Sequence, residues 1–197
     1  MHPYAIDSNE RIVIPLYLAI LSVLLALFSQ ATLDSYNLTL PWWVEAPSVF
    51  ALYGLFYTVF DKYFWRFEFL KKVGAVRTPN LNGNWRGTLT SEYDDFKNVK
   101  KANIKIIQTW TNISIVLTTE SSSSCSLVAG IETKNPEQNT LSYQYLNEPN
   151  SRAETTLHMH RGTATLNIQL DEKKFAGNYY SGRDRKNTGE LLFEREK

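Results

Sequence analysis

The sequence predicts a membrane α plus all-β protein, in which two N-terminal transmembrane helices precede a compact, antiparallel, up-and-down β-barrel of about eight strands. Two long apolar segments near the N-terminus support the helices. After Thr78-Pro79-Asn80 the hydrophobic periodicity changes from helical to alternating, and short alternating segments follow one another between polar turns. We therefore expect a transmembrane region over residues 1–78 and a barrel domain over residues 79–197.

The first apolar segment, residues 12–33, contains no charged residue. As a helix it is roughly 33 Å long, which is about the thickness of a bilayer core. The second segment, residues 41–60, contains one charge, Glu45, and begins with Trp42 and Trp43. Aromatic residues at the ends of an apolar helix are typical of the membrane–water interface. Both segments are therefore predicted to span a membrane.

The distribution of positive charge predicts the orientation of these helices. The loop over residues 34–41 has no Lys or Arg, whereas Arg11 precedes the first span and a basic cluster follows the second, comprising Lys62, Arg66, Lys71, Lys72 and Arg77. The positive-inside rule then places both termini and the barrel in the cytoplasm. A cleaved signal peptide and a buried soluble hairpin are the alternatives. The acidic residues Asp7 and Glu10 disfavour the first, and the uncharged length disfavours the second.

The barrel begins with the strand Gly83–Thr90, in which Trp85 and Leu89 share one face while Arg86 and Thr88 share the other. Trp85 is expected to fill the barrel floor. Further strands are predicted at 100–110, 113–121, 124–132, 140–147, 152–160, 163–170, 174–182 and 188–195, with Thr111-Asn112 and Arg161-Gly162 as turns and residues such as Leu127 and Met159 in the core. The count is eight or nine. An eight-stranded barrel has room for at most one small ligand.

Composition excludes several functions. With 21 Lys and Arg against 20 Asp and Glu, the chain lacks the basic surface that binds polymeric nucleic acid. The single cysteine, Cys125, excludes an internal disulfide. His158 and His160 form a His-x-His pair that can hold zinc, but no third ligand is evident, so no metal is expected. No nucleophile motif or phosphate-binding glycine loop supports catalysis, and we expect no enzyme and no cofactor.

Aromatic residues interleaved with cations are the candidate binding groups. Tyrosine and tryptophan rings stack on nucleobases, and arginine forms forked hydrogen bonds to phosphate. The candidate ligand-binding residues are Trp110, Tyr145, Arg152, His160, Tyr179 and Arg183. The predicted strand directions bring one group to one mouth of the barrel, comprising Trp110, His160, Arg161, Arg183 and Arg185. They bring the serines of 121–124, Asn147 and Arg152 to the other. Core or rim tyrosines and solvated arginines are the ordinary alternative for each residue.

Small residues on both predicted helices permit close helix packing. Ala19, Ser22 and Ala26 share one face of the first helix, and Gly54 and Thr58 form a small-xxx-small pair on the second. The close approach occurs either between copies of the chain or between the two helices of one chain.

Five segments that follow the two spans carry a resemblance to a known family. They are Gly83-Asn84-Trp85-Arg86-Gly87, Gln108-Thr109-Trp110, residues 143–149, His160-Arg161-Gly162-Thr163 and residues 177–183. In this arrangement the chain resembles the membrane effectors of bacterial CBASS anti-phage systems, which are encoded beside cyclic-nucleotide-synthesising CD-NTase enzymes. The resemblance implies that the barrel senses a cyclic dinucleotide from the neighbouring synthase. It also implies that the membrane helices then form a homo-oligomer, and that the inner membrane is disrupted and the infected cell dies.

Two other functions fit the same architecture. The barrel and its opening Asn-Trp-Arg-Gly strand are similar to lipocalins, which suggests a membrane-tethered carrier of an apolar ligand. A scaffold whose barrel recruits a protein partner is the third possibility.

Overall fold

A computed structural model describes residues 1–37, 41–135, 137–153, 157–182 and 187–196, with the backbone alone over residues 42–47. The chain divides into two compact units. One comprises Ser8–Arg77, and the other comprises Met1–Asp7 together with Thr78–Lys197.

The first unit is helical. It contains α1 (Glu10–Ser35), α2 (Trp42–Lys62), a 3-10 turn (Phe64–Arg66) and α3 (Glu68–Lys72), and α1 contacts α2. Among the described residues, α1 is the helix that is long and apolar enough to cross a membrane, and only 11 % of its most apolar window is buried. A core helix of a soluble domain would bury most of that surface.

One face of α1 packs inside this unit. Ile14 and Ser22 are buried, and Leu18 and Ala26 are half-buried at the same four-residue spacing. The Ser22 hydroxyl donates to the Leu18 carbonyl oxygen at 2.7 Å, so its polar group is satisfied within the helix. The other faces expose apolar side chains, including Ile12, Leu16, Tyr17, Leu24 and Phe28.

The second unit is a closed barrel, as the sequence predicts. Its strands are β1 (His2–Ile6), β2 (Gly83–Ser91), β3 (Lys100–Gln108), β4 (Asn112–Thr119), β5 (Ser122–Glu132), β6 (Asn139–Pro149), β7 (His160–Ile168), β8 (Lys174–Ser181) and β9 (Thr188–Arg195). They are arranged in the order β1-β4-β3-β2-β9-β8-β7-β6-β5, and β4 also pairs with β5. Strands β2 to β9 form an antiparallel up-and-down series. The described residues therefore contain nine strands, one of which was not predicted from the sequence.

The additional strand is β1, which precedes the first membrane helix and lies in the seam between β4 and β5. It pairs antiparallel with β4 and parallel with β5. Beside this insertion the Ser126 hydroxyl accepts the Ile115 N–H at 3.0 Å, which satisfies a donor where β4 and β5 separate. The first seven residues, assigned to the transmembrane region by sequence, therefore pack with the barrel.

The predicted strand over residues 152–160 is wrong. Residues 151–153 form a turn, residues 157–159 are irregular, and residues 154–156 lie outside the described part of the chain. Arg161-Gly162 lies within β7 and is not a turn, because the β6–β7 ladder runs without interruption from Asn147–His160 to Asn139–Ile168. With one strand fewer, β7 begins at the end of the barrel where β6 ends. His160 therefore lies beside Asn147 and not beside Trp110.

The opposite end of the barrel is filled by aromatic side chains. Trp85 is fully buried, its ring centroid lies 4.4 Å from that of Phe175, and its indole N–H donates to the Leu81 carbonyl oxygen at 3.0 Å. Phe193 packs on Phe175 at 5.4 Å. The Arg195 guanidinium lies 5.1 Å from the Trp85 ring centroid. Trp85 thus fills the barrel floor, as expected from its position in the first predicted strand.

Candidate ligand-binding site

The inward-facing residues change from apolar at the closed end to polar at the open end. Along β6 the inward series is Leu141, Tyr143, Tyr145 and Asn147, all buried. The other strands and the β8–β9 connection add polar groups near the same end, including Ser91, Thr119, Ser122, Ser124, His160, Ser181 and Asn187. They surround a pocket with about 700 Å³ of empty space, including its mouth.

Three tyrosines supply the aromatic surface of this pocket. The rings of Tyr143 and Tyr145 lie 6.2 Å apart, and Tyr145 meets His160 edge-on at 6.4 Å. Tyr179 lines the pocket from β8. Burial raises the pKa of Tyr143, and the neighbouring Tyr145 raises it further. The Tyr143 phenol is therefore neutral at physiological pH and offers one hydrogen-bond donor and one acceptor.

Two glycines make room for the tyrosine rings. Gly162 on β7 is the cross-strand partner of Tyr145, and Gly189 on β9 is the partner of Tyr179. A Cβ atom on Gly162 would collide with the Tyr145 phenol and with the Tyr180 carbonyl oxygen. A Cβ on Gly189 would collide with the Tyr179 ring and the Thr90 carbonyl oxygen. Each tyrosine thus lies flat against the barrel wall at a position where its partner has no side chain.

Hydrogen bonds hold several of the polar groups at the mouth. His160 Nδ1 donates to the His158 carbonyl oxygen at 2.9 Å, since a carbonyl can only accept, and Nε2 faces the Ser181 hydroxyl at 3.5 Å. The Asn187 side-chain amide donates to the Ser91 hydroxyl at 2.7 Å. The mouth is therefore partly organised before any ligand binds.

Positive charge lies at the rim. Lys100 lines the pocket and also a neighbouring depression that contains Lys101, Glu120 and Arg152. Arg152 is exposed, and its backbone N–H donates to the Asn150 side-chain oxygen at 2.9 Å within a turn. Lys100 is the one Lys, Arg, Asp or Glu among the described residues that line the pocket.

The structure brings together four of the six residues selected by sequence. Tyr145, His160 and Tyr179 line the pocket, and Arg152 lies at its rim. Trp110 lies in the β3–β4 connection at the opposite end, 1 % exposed, and its carbonyl oxygen accepts the Tyr4 hydroxyl at 2.8 Å. Arg183 lies outside the described residues.

Ser124, Tyr143 and Asn147 line the pocket but were not among the six residues selected. The sequence indicated Tyr143 as a ring that could stack on a base, and it placed the serines and Asn147 at one mouth of the barrel. The sequence signal that could identify such residues is a polar residue at the inward position nearest one end of a strand. Polar residues occur at that position because it lies outside the apolar core. Tyr180, a further aromatic near the site in sequence, faces outward and is 48 % exposed.

The two histidines of the His-x-His pair, His158 and His160, do not share a strand face. His158 precedes β7 and is exposed, whereas His160 is the first residue of β7 and is buried. Across the residues that the structure describes, no group of three or more His, Cys, Asp or Glu side chains is arranged to hold a metal ion.

A closed barrel with a polar, tyrosine-lined pocket, joined to an apolar helix of membrane-spanning length, defines a membrane-anchored small-molecule receptor. Comparison with known proteins agrees. Residues 76–195 match the family described as "Cap15, cyclic dinucleotide receptor domain", and residues 13–66 match "Cap15, TM helices". The chain belongs to the Cap15 family and is a CBASS-associated membrane effector, as the sequence resemblance suggested.

Two relatives cover most of the chain. CD-NTase-associated protein 15 from Yersinia aleksiciae is 31% identical over 184 residues, which are 91% of this chain and 86% of the relative. CD-NTase-associated protein 15 from Staphylococcus schleiferi is 24% identical over 154 residues, which are 78% of this chain and 80% of that relative. The similarity therefore extends across both the helical region and the barrel.

Proposed function

We propose that the barrel binds a cyclic dinucleotide made by a neighbouring CD-NTase. Binding promotes self-association of the transmembrane helices, which disrupts the bacterial inner membrane and kills the infected cell before phage mature. The observation that carries this proposal is the pocket at the open end of the barrel, where tyrosine rings and uncharged polar groups lie inside a rim of cations.

The pocket has the chemistry that this ligand requires. A cyclic dinucleotide presents two planar bases and two anionic phosphates. Bases stack on tyrosine faces such as Tyr145 and Tyr179, and the rim cations Lys100, Lys101 and Arg152 attract phosphates. An apolar ligand would instead cover the hydroxyl and amide groups without giving them hydrogen bonds, which is unfavourable. The pocket therefore supports the receptor over the apolar-ligand carrier.

The N-terminal strand supports a two-span topology. Because β1 pairs within the barrel, the segment before α1 and the domain after α3 lie on the same side of the membrane. If α1 crosses the membrane, the chain must cross back before residue 78. With 21 residues, α2 is roughly 32 Å long and can make that crossing. The positive-inside rule places the shared side in the cytoplasm, where the synthase product accumulates.

The helices offer surface for self-association. Gly54 and Thr58 lie one turn apart on an exposed face of α2. Among the described residues, no atom outside the adjacent helix backbone lies within 4 Å of the position of a Gly54 Cβ. Small residues in this arrangement let a second helix approach closely. Ligand binding promotes assembly only if the ligand has higher affinity for the assembled state.

The experiment that tests this function is ligand binding by the full-length protein in lipid nanodiscs, with a panel of cyclic dinucleotides and a linear dinucleotide as control. The full chain is required because a fragment that begins at residue 79 lacks β1. We expect selective binding of cyclic species. Arg152→Ala should weaken it about three- to tenfold, whereas Arg86→Ala, at the closed end, should not. Failure of a folded protein to bind any member of the panel would refute the proposal.

A further inference from the structure

Three polar groups that open onto the pocket make no side-chain hydrogen bond within the described part of the chain. They are the Ser124 hydroxyl, the Tyr143 hydroxyl and the Asn147 side-chain amide, and their residues are 7%, 5% and 7% exposed. Polar groups of largely buried residues are almost always paired with protein, water or ligand, because an unmade hydrogen bond is unfavourable. All three residues line the same pocket. We refer to them below as the inner-wall triad.

Strand pairing places the triad on one side of the pocket. Ser124 on β5 is the direct cross-strand partner of Asn147 on β6, and both face inward. Tyr143 lies deeper on β6, and its partner on β7 is the small residue Ala164. The triad thus extends from the mouth toward the floor, beside the inward positions Gly162 and Ala164 of β7.

The triad is uncharged, which determines what part of a ligand it can receive. A phosphate transferred into this region would lose its hydration without gaining a cation, and burial of an unpaired charge is very unfavourable. The described cations lie at the rim instead, at Lys100, Lys101 and Arg152. A neutral aromatic base loses little on entering, since it stacks on tyrosine and its edge can bond to hydroxyl and amide groups.

We propose that one nucleobase of the ligand enters the barrel ahead of the phosphates, that the inner-wall triad hydrogen-bonds its edge, and that Asn147 determines which base is accepted. This inference rests on the proposed function and specifies how that site reads its ligand. A carboxamide presents a donor beside an acceptor, which matches the donor and acceptor edge of adenine. The phosphates and the second base remain at the mouth, within reach of the rim cations.

Tyr143→Phe tests the triad with the smallest possible change. It removes one hydroxyl that makes no side-chain hydrogen bond among the described residues, so the thermal unfolding midpoint should stay the same or rise. Affinity for the preferred cyclic dinucleotide should fall about three- to tenfold. Tyr180→Phe is the matched control, because this phenol faces outward and should change neither property. Unchanged affinity in Tyr143→Phe would overturn the role of the triad.

Asn147→Asp tests base selection. A carboxylate only accepts hydrogen bonds, so it should favour the two adjacent N–H donors of guanine over the adenine edge. In wild-type nanodiscs we expect adenine-containing cyclic dinucleotides to bind more tightly than cyclic di-GMP, and the variant should reverse this order by at least tenfold. The same order in wild type and variant would overturn the assignment while leaving the proposed function intact. If Asn147→Asp does not fold, Ser124→Ala and Tyr143→Phe decide the inference.

The two proposals fail in different ways. A wild-type protein that binds no cyclic dinucleotide refutes both the function and the inference that rests on it. A wild-type protein that binds, together with inner-wall variants that keep its affinity and base preference, refutes the inference alone.

Discussion

At the scale of single residues, the pocket depends on cross-strand pairs in which a tyrosine ring lies over a glycine. Tyr145 lies over Gly162, and Tyr179 lies over Gly189. Such a pair stabilises the barrel, because the ring covers a stretch of wall that glycine leaves bare, and it also fixes the direction of the ring. The stacking surface of the site is therefore set by the glycines as much as by the tyrosines.

Gly162→Ala should destabilise the barrel by about 1 to 3 kcal/mol, because the new methyl group collides with Tyr145 and with a backbone oxygen of β8. Ligand affinity should fall as the Tyr145 ring moves into the pocket. Gly130→Ala is the control, since its nearest neighbour, the Ala5 Cβ, lies 4.0 Å away. Thermal unfolding in detergent, followed by ligand titration, measures both effects. Equal midpoints for the two variants would contradict this account of Gly162.

At the scale of elements, β1 completes the barrel from a distant part of the sequence. Asp7, which follows β1, accepts hydrogen bonds from the Thr133 N–H and hydroxyl, both at 2.8 Å, and from the Lys134 N–H at 3.2 Å. Partial burial raises the pKa of Asp7, but these bonds lower it by more, and the net pKa is below its ordinary value. The carboxylate therefore fastens the end of β1 to the end of β5.

Because its folded-state pKa is depressed, Asp7 contributes stability that is fully present above about pH 5 and is lost as the pH falls through the folded-state pKa. We expect Asp7→Asn to lower the unfolding free energy by about 1 kcal/mol at pH 7 and to flatten the decline between pH 5 and pH 2. Chemical denaturation across this range measures both quantities. Asp171→Asn, a substitution in the exposed β7–β8 turn, should keep the wild-type profile. An unaltered acid profile in Asp7→Asn would show that Asp7 does not anchor the strand.

A second element-scale feature is the irregularity in β5. Its pairing with β6 passes from Ser126 to Val128, which leaves Leu127 as an extra residue. The bulge shifts the alternation of β5, so that Ser122 and Ser124 face inward on one side of it while Ala129 and Ile131 face inward on the other. Leu127, expected in the core, is 41 % exposed for this reason.

At the scale of the whole molecule, the proposed response requires that chains associate through the membrane helices. Gly54→Leu should leave the individual chain folded, because no described atom beyond the adjacent helix backbone lies within 4 Å of a Gly54 Cβ. It should reduce ligand-induced oligomers and membrane leakage at least tenfold if this face meets a second copy. The control is Ala31→Leu, which adds similar volume at an exposed position on α1. Crosslinking and dye release from vesicles, with and without ligand, provide the measurements. Full assembly of Gly54→Leu would place the interface on another face of the helices.

Part of the candidate site was predicted from residue types, and the remainder was not. Tyr145, His160 and Tyr179 were selected because aromatic rings and hydrogen-bond donors are groups that bind nucleotides. All three line the pocket. Their grouping with Asn147 and the serines required the correct number of strands. The single surplus strand over residues 152–160 had placed His160 at the wrong end of the barrel. In an up-and-down barrel each strand runs opposite to the one before it. One surplus strand in the prediction therefore moves the ends of every later strand to the wrong end of the barrel.

The sequence by itself determined the two-part architecture, the apolar helix and the closed antiparallel barrel, because hydropathy and period-two alternation are local properties. The family was suggested separately, by the resemblance of five segments to known CBASS effectors. The tertiary structure alone decided that residues 2–6 fill the β4–β5 seam, that a bulge turns Ser124 inward, and that Trp110 lies away from the pocket. These features depend on which strands pair and in what register. Backbone hydrogen bonds between distant segments set that pairing, and no local pattern in the sequence records it.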